Sequence, residues 1–211
     1  MEMETLKQAL LSFKKPEESS TIEERMEELE KQFKDIATSL FFNGYFECGE
    51  NHIYISSAEL YYNEEDGANP IKDEVMFHTN DKAGLNLPYF KIGHLFAHPW
   101  GFDLTFENEE KRYRASVLLK AFVVTKGQEA PCYKSKNIKS SGMLRDYFLN
   151  DLSAFEPNNL KVKWVDYHNP IFDLPSFDRE LSEPKPRKNV PGDKKEEKLW
   201  RFDVAWRTTK K

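Results

Sequence analysis

The sequence predicts a mixed α/β fold in one domain, on three observations. A long stretch of helical periodicity comes early, the period switches to two near residue 44, and turn residues then separate several strand-like runs. At 211 residues the chain is long enough for one sizeable domain, or at most two small ones. Sixteen Phe, nine Tyr and four Trp supply a core rich in flat side chains, although 32% of residues are charged.

Residues 1–20 are polar and end in "KKPEESS", which reads as an arm or a short helix outside a domain of residues 21–211. Thr21 followed by Glu24 has capping-box spacing. Behind it Ile22, Met26, Leu29, Phe33, Ile36 and Leu40 recur at three- and four-residue steps, giving a helix with one buried face. "YFECGENHIYISSAELYY" predicts two strands joined at Gly49–Asn51. The polar, Gly- and Pro-marked stretch after it lacks periodicity, and a loop of that length is more often functional than idle. Strands return around a break at Pro99–Gly101, and "YRASVLLKAFVV" is the clearest strand of the chain. A helix over "SGMLRDYFLNDL", a strand over "LKVKWVDYH", a Pro- and Lys-rich loop and a closing strand over "LWRFDVAWRT" complete the order.

Two of these strands carry an out-of-place charge. With side chains alternating faces, Ile53, Ile55, Ser57, Glu59 and Tyr61 should share one side, which sets a carboxylate among core positions. Lys120 interrupts a run that otherwise looks buried on both faces. An unpaired charge in a dry interior costs several kcal/mol, so each predicts a partner, and the two are the natural pair.

Composition narrows the function. No window of about 18 apolar residues exists to span a membrane. The charged N-terminal stretch lacks the apolar core of an export signal, so a cytoplasmic location is expected. Cys48 and Cys132 cannot build a disulfide framework and have no CxxC partner; His94 and His98 are four apart, but Gly93 and Pro99 argue against the helix that would bring them together, so no metal is expected. A net charge of −5 disfavours binding nucleic acid through general surface charge, but leaves room for one basic groove. The acids concentrate in the first 110 residues, and Lys and Arg in the remainder.

The order of short motifs resembles the alkyladenine (3-methyladenine) DNA glycosylase family. "SAELYY" places Glu59 two residues before Tyr61, like that family's catalytic glutamate and tyrosine. "HLFAHPWG" supplies Trp100–Gly101 at a Tyr-Gly step, and "SVLLKA" supplies Lys120 where a Val-Leu-Leu-Arg-Ala strand carries arginine. "KPRKNV" and "LWRFDV" place Arg187 and Arg201–Phe202 like a Pro-Arg pair and a later Arg-Phe. The similarity runs from about residue 33 to 203. It departs at Lys120, which keeps the charge but loses the planar fork. It departs again at Ala97 and His98, in place of a stacking tyrosine, and at Thr105–Glu107, which lack an Asn. A loop His finds its nearest candidate in His78.

The resemblance implies a single domain with a curved, mostly antiparallel sheet flanked by helices. It also implies hydrolysis of the N-glycosidic bond of a modified purine turned out of DNA, without metal or cofactor. Bond cleavage builds positive charge on the sugar, so Glu59 would stabilise that charge and deprotonate the attacking water, with Lys120 beside it. Tyr61 and His98 would line the base pocket, and Trp100 would fill the gap left in the stack. Lys134, Lys136, Lys139, Arg145, Lys185, Arg187 and Lys188 are the candidate phosphate contacts. The alternative is a non-catalytic module of the same fold that binds a nucleotide or a nucleic acid.

Overall fold

The computed structural model describes residues 5–79, 87–126, 136–149, 162–166, 179–188 and 198–206. In chain order these form α1 (Leu6–Ser12), α2 (Ile22–Phe42), β1 (Gly44–Cys48), β2 (Asn51–Glu64), β3 (Leu95–His98), β4 (Gly101–Thr105) and β5 (Tyr113–Lys126). β6 (Asn137–Ile138), α3 (Ser141–Phe148), β7 (Val162–Asp166), β8 (Arg179–Leu181) and β9 (Arg201–Trp206) follow. None of the described helices is long and apolar enough to cross a membrane.

α2 starts as its sequence dictates. The Thr21 hydroxyl accepts from Glu24 N while the Glu24 carboxylate accepts from Thr21 N, satisfying two otherwise orphaned donors. Leu29, Phe33, Ile36 and Leu40 are buried, each such side chain contributing roughly 1.5–3 kcal/mol. Ile22 stays exposed, and Arg25 is the residue that turns inward near the helix start. Its Nη2 lies 2.6 Å from both oxygens of Glu64, which also accepts from the Tyr62 hydroxyl and from Ile71 N. Four donor contacts thus compensate a carboxylate taken wholly out of water.

The first residues correct the sequence expectation of an arm outside the domain. α1 has its own capping box, between Thr5 and Gln8, and buries Leu6, Ala9 and Leu10. Phe13, just beyond it, meets the rings of Phe33, Tyr62, Phe106 and Tyr113 with centroids 4.9–6.0 Å apart. The segment joins the same core as α2 and the sheet.

Among the described residues every strand pair is antiparallel, and the sheet curls into a half-barrel in the order β3-β4-β5-β2-β1-β7. β1 and β2 join through Gly49–Glu50, with Gly49 at φ 57°, a value that suits glycine. β2 and β5 pair along their length, and β1 and β9 occupy successive parts of the other edge of β2.

The β2–β5 ladder resolves the two misplaced charges by a pair of irregularities. Ile55 pairs with Phe122, Ser57 with Ala121, and Ala58 with Leu119. Ser56 is therefore an extra residue on β2, and Lys120 an extra residue on β5. Each bulge shifts the alternation by one, so Ile53 and Ile55 before it, and Ala58, Leu60 and Tyr62 after it, all join the core. This corrects the expected sharing of one face by Ile53, Ile55, Glu59 and Tyr61. Glu59 and Tyr61 belong to the opposite face, across from the packing of α2.

Candidate functional site

Glu59 anchors that second face. It pairs across the sheet with Leu118 of β5, which pairs with Asp103 of β4, while its other neighbour is Arg201 of β9. Glu59 is 0% exposed, so its charge needs donors close by. Oε1 accepts from the main-chain N of Lys188 at 2.8 Å. Oε2 accepts from the Tyr61 hydroxyl at 3.1 Å and lies 3.3 Å from Lys120 Nζ. The bulge that sets Lys120 out of register is what lets it lean onto a residue of the next strand. Burial, then the Glu59 charge, pushes the Tyr61 phenol well above its ordinary range, so it remains a donor.

Lys120, 22% exposed at its side chain, connects this floor to a hollow of about 540 Å³. Ser56, Ser57, Ala121 and Asn137 line one part of it, Lys139, Ser140 and Ser141 another, and Lys188, Arg201, Asp203 and Val204 a third. The two adjacent serines both reach it because Ser56 is the extra residue that breaks the alternation. Asp203 accepts from the Ser57 hydroxyl at 2.6 Å and pairs with Arg201 at 2.8 Å and Lys185 at 3.2 Å. Burial alone would raise its carboxyl, but those three donors outweigh burial and hold it below its ordinary value.

Asp103 centres a second buried polar group on the same face. His98 Nε2 lies 3.2 Å from its Oδ1, and the Ser116 hydroxyl donates to Oδ2 at 3.3 Å. Trp100 N donates to His98 Nδ1, which leaves Nε2 as the nitrogen that donates to Asp103. His78 sits between Asp103 Oδ2 at 3.4 Å and Glu107 Oε1 at 2.7 Å, in close ion pairs whose N–H directions are off the line to either oxygen. Burial would lower the His78 imidazolium, but the two carboxylates outweigh it and lift it to about 9. Burial would likewise raise Asp103, but His78 and His98 hold it below its ordinary value.

Trp100 is 62% exposed on the β3–β4 turn, its ring edge-on to Phe77, which stacks on His98 with centroids 5.2 Å apart. The turn rests on the first residue of α3: Gly101 has φ 143°, and a Cβ there would lie 2.8 Å from the Ser141 side chain. Only glycine permits that approach, which sets the aromatic turn against a residue that lines the hollow.

The sequence-predicted residues thus separate into groups. Glu59, Tyr61 and Lys120 come together, as do His98 and Trp100 on the neighbouring turn. Lys139 and Lys188 line the hollow. Lys136, Arg145 and Lys185 are exposed outside its lining, Arg145 lying 4.0 Å from Asp146. Arg187, expected among the phosphate contacts, is turned inward and 5% exposed. Its guanidinium forks onto Asp73 at 2.7 and 3.1 Å and lies over the Tyr61 and Trp200 rings, so its charge is already engaged. Lys134 lies outside the described residues.

Sequence reasoning gave no site role to Asp103, Glu107, Asp203 or the serines, and marked Arg201 only as part of a motif. For the first two the signal was present, since "FDLTFE" alternates apolar Phe102, Leu104 and Phe106 with Asp103, Thr105 and Glu107. Ser56 and Ser57 have no such signal, because a bulge leaves no local pattern. Among the described residues no group of three or more His, Cys, Asp or Glu could hold a metal ion. Comparison with protein-family models, with curated proteins and with solved structures gives no match.

Proposed function

We propose that this chain is a DNA glycosylase-like hydrolase that cleaves the N-glycosidic bond of a modified purine turned out of the DNA stack. The observation that carries the reading is the buried Glu59 carboxylate held by Lys120 and Tyr61, with Lys120 on the wall of a hollow of about 540 Å³. An oxocarbenium-like sugar placed against this wall would gain from a fixed anion, and the same anion would take a proton from the attacking water. Entry of substrate has to displace Lys120 or the Lys188 main chain, because together they cover Glu59. Trp100 is the ring available to occupy the space a rotated base leaves, and His98 and Phe77 form a stacked surface next to it.

One observation favours a second reading, a non-catalytic module that binds a nucleotide or nucleic acid in the same hollow. Three donors enclose the carboxylate and no solvent reaches it. The two readings separate with duplex oligonucleotides carrying one hypoxanthine or one ethenoadenine. Release of free base by the wild type and none by Glu59→Gln is the expected result for the enzyme. Undiminished binding without release in either protein would leave the module.

A further inference from the structure

The hollow carries positive charge that the carboxylates around it do not balance. Four cations line the hollow, but they are not equivalent. Lys120 answers Glu59 and Arg201 answers Asp203. Lys139 and Lys188 have no carboxylate partner among the described residues, and both are exposed. The surplus is therefore two positive charges, on a molecule whose net charge is −5. Around it stand neutral donors. Ser56 donates its hydroxyl to Asn137 Oδ1 at 2.9 Å, which leaves the Asn137 amide NH₂ for a ligand. Ser140 caps α3 by accepting from Met143 N, and the N–H groups of the first turn of α3 open beside it. A volume of about 540 Å³ falls in the range of pockets that hold a single small molecule.

We propose that the hollow is a binding site for the phosphate group of one nucleotide. Lys139 and Lys188 supply the charge, and Asn137 and Ser141 supply neutral donors. Two free ammonium groups match the double charge of a phosphate monoester, and hydroxyl and amide donors satisfy its remaining oxygens. A long track of cations, as needed to follow several phosphates of a duplex, is not what the described residues offer, since Arg187 is engaged inside and Lys185 pairs with Asp203. The site stands on this geometry; only the nucleoside half of the ligand rests on the reading of the previous section.

The test is calorimetric titration of the full chain with inorganic phosphate, adenosine monophosphate, adenosine, and a dinucleotide holding one internal phosphodiester. Adenosine monophosphate is expected to bind at least about tenfold more tightly than adenosine, and Lys139→Gln with Lys188→Gln to remove that advantage. Lys136→Gln with Arg145→Gln, also exposed, should change nothing. Equal affinity for nucleotide and nucleoside, or an unaltered affinity in the Lys139/Lys188 variant, would overturn the proposal. Binding of the dinucleotide as tightly as the monophosphate supports the site with a strand as source, and binding of the monophosphate alone supports it with a free nucleotide or strand end. Glu59→Gln leaves Lys120 without its carboxylate and should bind the nucleotide at least as tightly, so loss of base release and loss of phosphate binding are read separately.

Discussion

His78 illustrates how single residues set the response of this molecule to pH. Its ring is fully buried between the Asp103 and Glu107 carboxylates, and its proton is held up to about 9 against an ordinary value of 6.5. A folded-state value above the unfolded one means that the protonated ring stabilises the fold. That contribution is complete below about 6.5 and is lost as pH rises through about 9, on the order of 3 kcal/mol in all. Urea midpoints measured from pH 6 to 10 should therefore fall over this window, and the slope should flatten in His78→Gln. A wild-type midpoint that stays level would show that His78 is neutral in the fold. Asp103 acts in the opposite range. Its lowered carboxyl adds stability above its ordinary 3.8, and that stability is lost as pH falls through its folded value.

At the scale of elements, the paired bulges in β2 and β5 govern which side chains reach the hollow. With Ser56 and Lys120 both removed, the observed partners Ile55–Phe122, Ser57–Ala121 and Ala58–Leu119 would follow one another as a regular ladder. Each bulge acts on the phase of its own strand alone, so deleting Ser56 keeps Ile55 and Ala58 on the core face and leaves the Lys120 bulge in place. Deletion of Ser56 is therefore expected to preserve cooperative unfolding. Deletion of Lys120 should cost several kcal/mol more, because the buried Glu59 then loses its cation. Circular dichroism on urea titration checks this, and a Ser56 deletion less stable than the Lys120 deletion would contradict it. The same bulges mark the limit of what periodicity reveals. α2, the β1–β2 hairpin, β5 and β9 could be read from caps, turns and alternation because those signals are local. Glu59 and Lys120 could be matched as partners because a buried charge demands one. Their shared face could not, since a bulge changes phase without changing composition. α1 was legible in principle: Leu6, Ala9, Leu10 and Phe13 have helical spacing, hidden among polar neighbours. Arg187 was misread because a basic loop gives no sign that Asp73 waits beneath it.

Over the whole molecule, charge distribution decides what kind of nucleic-acid contact is possible. Each phosphate neutralised by a protein cation releases condensed counterions, so the slope of log K against log salt counts such contacts, at about −0.9 each for a duplex. The hollow offers Lys139 and Lys188 as two cations without a carboxylate partner among the described residues, on a chain of net charge −5. Fluorescence titration with duplex and single-stranded DNA should therefore give a slope near about −2 for the duplex, less steep for the single strand. Lys139→Gln with Lys188→Gln should bring both close to zero. A slope of about −5 or steeper would mean that cations beyond the hollow follow the backbone. A slope of zero in the wild type would mean that no phosphate meets this surface, and a glycosylase acting on DNA would then lack its hold on the strand. Between those limits, a shallow slope fits a protein that grips one nucleotide and leaves the rest of the strand to the aromatic turn around Trp100. Stacking on such a turn adds affinity with little dependence on salt, so Trp100→Ala should weaken binding while leaving the slope unchanged.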